Sequence, residues 1–186
     1  MSDLVGPFPD GADPDAFDRL RRRVLWSFPT GLFVVGSAAE IDGEQRHNLM
    51  VANLVVQVAT GPKLVAVAIE KGALTARLVA QGACFAVSVL RREDRAVVRR
   101  FVKPVGDITL DAAGHPVQMA GEAVVVATTG APMLARAHAW VDCRLHSSLD
   151  LESHLLAIGE VVNAGGLEEE GVGVLRMEDT KMNYGG

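Results

Sequence analysis

Several large protein classes are excluded by what this chain lacks. It has two cysteines in 186 residues, Cys84 and Cys143, and no CxxC pair. No disulfide framework is expected, and a reducing compartment such as the cytoplasm fits best. Positive charge is in deficit: 18 basic residues against 23 acidic ones leave −5, which argues against nucleic acid as a general partner. No apolar run approaches the ~20 residues of a membrane helix. The first ten residues have neither the basic start nor the apolar stretch of a signal peptide. The usual catalytic signatures are also missing: no GxGxxG after a strand, no GxxxxGK[ST], no GxSxG. The five histidines, His47, His115, His138, His146 and His154, show no metal-ligand spacing, so no metal is expected.

What is present is organised around residues 46–75. Arg46 to Ala59 is nearly continuous β-branched and apolar sequence, and Leu64 to Ile69 is a second such run after Thr60-Gly61-Pro62-Lys63. This reads as two strands joined by a Gly-Pro turn. Asn53 and Gln57 are the exceptions in the first strand. Four residues apart, they share a face with Val51 and Val55. Amides in a buried strand need partners, either a ligand rich in donors and acceptors or backbone and water.

The rest of the chain reads in order. Residues 1–12 form a Pro/Gly/Asp-rich arm, and residues 13–186 a single domain. Asp13-Pro14 opens a helix with Phe17, Leu20, Val24 and Phe28 facing inward, ended by Pro29. Residues 31–37 are a strand and Asp42-Gly43 a turn. Ala73 to Gln81 is a helix closed by Gly82. Residues 83–90 are a strand, and 91–101 a helix with Val97, Val98 and Phe101 inward. Residues 103–118 read as a long loop, and 122–127 as a short strand. Ala137 to His146 alternates, with Asp142 and His138 on the outward face. Residues 154–163 form another strand, 165–170 a turn, and 171–177 a last strand. Strands outnumber helices and adjoin in sequence. The expected class is mainly β: an antiparallel sheet, closed or nearly closed, with a few peripheral helices.

The order of these pieces resembles the flavin reductase family, the FMN-binding split β-barrels of Greek-key type. Phe28-Pro29-Thr30-Gly31 before an apolar strand is similar to the family's opening. Asn48-Leu49-Met50, Gln57-Val58 and Pro62-Lys63-Leu64-Val65 resemble its flavin-contacting strand pair, and Lys71 to Thr75 its phosphate loop. Residues 82–90, Trp140 to Arg144, and Ser153 to Val162 resemble later strands, the last with Gly159-Glu160-Val161. The chain departs from the family pattern where Thr and Ser usually line the flavin rim. Val51, Asn53, Val56, Gln57 and Ala59 stand there, and only the two amides replace a hydroxyl's hydrogen bonding. Gly72 and Ala73 stand where the phosphate loop usually has hydroxyls, and Ser153 where Asp usually precedes the histidine.

The resemblance implies an enzyme that reduces FMN, or FAD, with NADH or NADPH, and a monooxygenase as a possible partner. It implies a flavin held by Asn48, Leu49, Met50, Val51, Ala52, Asn53, Gln57, Val58 and Ala59, with its phosphate at Lys71, Gly72, Ala73 and Thr75, where a helix start favours an anion. It also implies His154 near the reacting rings and a homodimer sharing one site. An apolar composition with few aromatics points the same way on the dimer. Since the cofactors carry hydride chemistry, no nucleophile need be visible. Two other classes stay open: an FMN electron carrier of the same fold, and a binding domain that has lost flavin.

Overall fold

The computed structural model describes residues 6–167 and 171–180. The chain divides into two compact units between Pro29 and Thr30. In the first, α1 (Pro14–Trp26) starts as the sequence predicts, with Asp13 Oδ1 accepting the N–H groups of Asp15 and Ala16 at 2.9 and 3.2 Å. The expected inward face is different. Phe17 is half-buried, with its ring edge-on to Phe8, but Leu20, Val24 and Phe28 are exposed, as are Leu25 and Trp26. An amphipathic helix needs a second layer to cover its stripe, and among the described residues of the arm Phe8 is the one seen against it.

The second unit, Thr30 to Thr180, holds the strands. They are β1 (Phe33–Ile41), β2 (Glu44–Ala52), β3 (Val55–Thr60), β4 (Lys63–Glu70), β5 (Cys84–Val89), β6 (Ile108–Leu110), β7 (Pro116–Met119), β8 (Glu122–Val126), β9 (Pro132–Leu134), β10 (Ala139–Leu151) and β11 (His154–Gly166). Helix α2 (Leu74–Gly82) follows β4, and a 3-10 helix (Arg92–Phe101) follows β5. Seven strands form one antiparallel sheet in the order β2-β1-β5-β10-β11-β4-β3, and β6 to β9 form a smaller one. The turn at Asp42-Gly43 has positive φ at both residues, as a two-residue hairpin requires.

The edge strands of the large sheet, β2 and β3, are joined by only Asn53-Leu54. Seven flat strands would hold them roughly 29 Å apart, and the link spans at most about 11 Å. The sheet therefore curls until its two edges meet at this end. Val35, Ala52, Val67, Ile69, Ala76, Val79, Phe85, Val87, Cys143 and Ala157 fill the inside of the curl.

Four further readings from sequence need correction. The run 46–59 is two strands at opposite edges, not one buried strand. Its break at Asn53-Leu54 carries no Gly or Pro to announce it and is imposed by the curl. Residues 103–118 are not a structureless loop, since β6 and most of β7 lie there. Residues 171–177 are not a strand. They make single bridges, Gly31 to Arg176 and Arg91 to Val174, with buried Leu175 donating to Leu90 O and accepting from Leu32 N–H. The turn expected at 165–170 extends into residues 168–170, outside the described ones.

The fourth correction concerns the strand expected over 137–146, most of which lies in β10. Asp142 and His138, expected outward, are 0% and 7% exposed. The outer face there is covered by a second layer, in which Cys84, Ala86, Ala131 and Met133 pack with Trp140. Asp142 is satisfied inside it by the N–H and hydroxyl of Thr129. A smaller adjustment applies to α2, whose left-handed cap is Ala83 rather than Gly82. Gly82 serves close packing instead: a Cβ there would lie 1.8 Å from Ala38 O.

Candidate functional site

The corner where β4 ends gathers most of the residues singled out from sequence. Glu70 pairs with His154 across β4 and β11, so Lys71 to Thr75 begins beside the start of β11. Lys71 N–H donates to Ser153 O at 3.1 Å, and Ser153 Oγ lies 2.8 Å from His154 Nδ1. Leu54 O accepts the N–H of Ala68, which brings Asn53 to the same end of the sheet. Ala52, Ala73 and Ala76 share one apolar cluster, so the first turn of α2 rests against the end of β2.

The polar contacts of this corner are specific. Asn48 Nδ2 donates to Thr75 Oγ1 at 2.9 Å, and Val105 N–H donates to Asn48 Oδ1 at 2.9 Å. Both side chains are buried, Asn48 at 3% and Thr75 at 0% exposure. Lys71 Nζ lies 2.8 and 2.7 Å from the two oxygens of Asp150. The Lys71 ammonium, followed by the Glu152 N–H, holds the Asp150 carboxyl below the usual carboxylate range. No side chain caps the N-terminus of α2, and a side chain at Gly72 would meet open space. An uncapped helix start under open space, with a cation beside it, suits an anion.

Other expected residues fall elsewhere. Leu49 and Val51 are buried in the sheet, and Met50 is half-buried against the core. Gln57, Val58 and Ala59 belong to β3, where Gln57 opposes Val65 and Ala59 opposes Leu64. Five residues along β4, about 17 Å, separate that position from Glu70 and His154. Gln57 and Val58 are exposed, Val58 sits in a bulge, and Gln57 Nε2 donates locally to Ala59 O at 3.1 Å. The structure thus brings Asn48, Asn53, Lys71 to Thr75 and His154 to one corner, and leaves Gln57 to Ala59 outside it.

Two participants escaped the sequence reading. Asp150 pairs with Lys71 from 79 positions away, and Val105 reaches Asn48 from 57 away. Neither contact has a local signal. Both thiols are free and buried. Burial, then the nearby Asp142 charge, pushes Cys143 up to about 12, and burial raises Cys84 as well. Among the described residues no group of three His, Cys, Asp or Glu side chains is placed to hold a metal.

Residues 25–184 match the flavin reductase like domain. A NADH-dependent FAD reductase from Streptomyces globisporus is 30% identical over 168 residues, covering 88% of this chain and 84% of that protein. Among solved structures, the NADH:FAD oxidoreductase of Streptomyces globisporus C-1027 superposes with a TM-score of 0.64 at 29% identity, over 86% of this chain and 87% of that one. The styrene monooxygenase flavin reductase from Pseudomonas putida S12 gives 0.62 at 27% identity, over 78% and 87%.

Proposed function

This chain belongs to the flavin reductase family, and from that membership we propose that it is an NAD(P)H-dependent flavin reductase. The observation that carries the reading is the extent of the match. It runs across residues 25–184, most of the chain, rather than resting on one motif. When bound, the nicotinamide supplies a hydride and the flavin, FMN or FAD, accepts it. The protein's share is to bind, orient and exclude water, which agrees with a corner built from positioning contacts.

In this reading the N–H groups opening α2 hold a flavin phosphate, with Gly72 leaving room and Lys71 adding charge. The Lys71 charge is shared with Asp150, so it acts more weakly than a free ammonium. Asn53 and the end of β2 border the ring. His154, steadied by Ser153, stands beside the phosphate segment and orients the reacting rings. The curled sheet, open between β2 and β3, is read as a split barrel. A homodimer completes the site. Its support is the exposed apolar surface, Leu20, Val24, Leu25, Trp26 and Phe28 in one unit and Leu54, Val56 and Val58 in the other. The named Pseudomonas putida relative serves styrene monooxygenase, so a monooxygenase is the proposed consumer of the reduced flavin. Free buried thiols agree with a cytoplasmic setting.

The test is NADH oxidation by purified protein with and without added FMN or FAD. Flavin-dependent, saturable turnover is expected, and oxidation indifferent to flavin overturns the reading. In stopped flow, His154→Ala is expected to slow flavin reduction more than it weakens flavin binding. A mutant reducing flavin at the wild-type rate would leave His154 as a strand-end residue held by Ser153.

A further inference from the structure

A buried amide must have partners. Asn48 has two, on different segments. Its Nδ2 donates to Thr75 Oγ1 and its Oδ1 accepts from Val105 N–H, both at 2.9 Å. The orientation of the amide is fixed by chemistry, because a backbone N–H can only donate. One side chain in β2 thus joins the first turn of α2 to the stretch between the 3-10 helix and β6. The partner in α2 is its second residue, fully buried, in a helix whose N-terminus no side chain caps. Beside the packing of Ala73, Leu74 and Ala76, this hydrogen bond is the polar contact that seats that turn against the sheet.

We propose that Asn48 is a positioning residue for the flavin phosphate: by holding Thr75 it sets the first turn of α2, whose N–H groups receive the phosphate, and ties that turn to Val105. The inference rests on the phosphate placement given under Proposed function. Asn48 is only 3% exposed and each end of its amide is engaged within the chain, so it acts through Thr75 rather than by touching the flavin. The consequence is selective. Loosening the turn weakens the phosphate contact and leaves the ring contacts, so FMN suffers and riboflavin, which has no phosphate, does not.

The experiment titrates FMN and riboflavin by fluorescence quenching into wild type, Asn48→Ala, Thr75→Val and Thr75→Ser, with NADH turnover measured alongside. Wild type is expected to prefer FMN. Asn48→Ala and Thr75→Val are expected to lose about fivefold in FMN affinity, the scale of one hydrogen bond, with riboflavin changed less than about twofold. KM for FMN rises while kcat at saturation stays within about twofold, and Thr75→Ser, which keeps the hydroxyl, restores FMN binding. Equal losses for both flavins, or unchanged FMN affinity, overturn the proposal alone. A wild type that binds the two flavins equally overturns the phosphate placement and this proposal with it. If Asn48→Ala does not fold, Thr75→Val, which keeps the side-chain shape, decides the matter.

Discussion

β2 carries Leu49, Val51 and Ala52 at 0, 3 and 6% exposure, while three residues on, β3 carries Val56 and Val58 at 60 and 50%. The two strands come from one apolar run and look alike in composition. They differ because the curl of the sheet sends them to opposite edges. β2 lies under α2, which contributes Thr75, Ala76 and Val79 to its cover. Among the described residues β3 pairs with β4 on one edge and with no strand on the other. Apolar sequence shows that a strand will be covered, and does not show by what. β2 is covered by its own helix, and β3 leaves Val56 and Val58 exposed.

The largest expected effect breaks the buried side. Leu49→Ala should destabilise the protein by about 2–5 kcal/mol, since it empties a fully covered position. Val56→Ala should cost far less in denaturant titrations run at protein concentrations too low for association. Equal costs would mean that β3 is covered within the single chain.

The next effect sharpens the exposed side. If β3 belongs to a dimer interface, Val56→Lys with Val58→Lys should weaken association at least about tenfold, roughly 1.4 kcal/mol. Light scattering at micromolar concentration would then shift from twice the chain mass toward the single mass. A double mutant that keeps the wild-type mass places the interface elsewhere.

A smaller effect is a difference in pH response. His47 in β2 is buried, and burial, then the charge of His115, lowers its pKa below the ordinary 6.5. The unfolded chain therefore binds this proton more readily than the folded one. Stability is full above the ordinary value and declines as pH falls below 6.5 toward the folded pKa. His47→Gln should flatten that decline in unfolding curves taken between neutral and mildly acid pH. β3 has no titrating side chain and contributes nothing to the slope. An unchanged slope in the mutant would assign the decline to other groups.

The smallest effect on stability is at Lys71. Its pair with Asp150 is exposed, so Lys71→Ala should change stability by less than about 1 kcal/mol. The same mutant should lose FMN affinity several-fold more than riboflavin affinity. Equal losses for the two ligands would remove Lys71 from the phosphate site.

The sequence by itself determined the local pieces. Asp13-Pro14 starts a helix because an Asp side chain satisfies free N–H groups and proline needs none there. Asp42-Gly43 turns because both residues tolerate positive φ. β-branched runs became strands, and Val97, Val98 and Phe101 went inward as their spacing required. The joint order of these pieces was enough to identify the family. Only the tertiary structure decided which strand lies at which edge, that Asp142 is buried under residues 127–134, and that Asn48, Thr75 and Val105 form one clamp. It also paired Lys71 with Asp150 and placed Gln57 five residues along β4 from that corner. The physical reason is range. Caps, turns and periodicity act over a few residues and leave marks in local sequence. Contacts across 57 or 79 positions depend on how a whole sheet curls, and no short stretch of sequence records that.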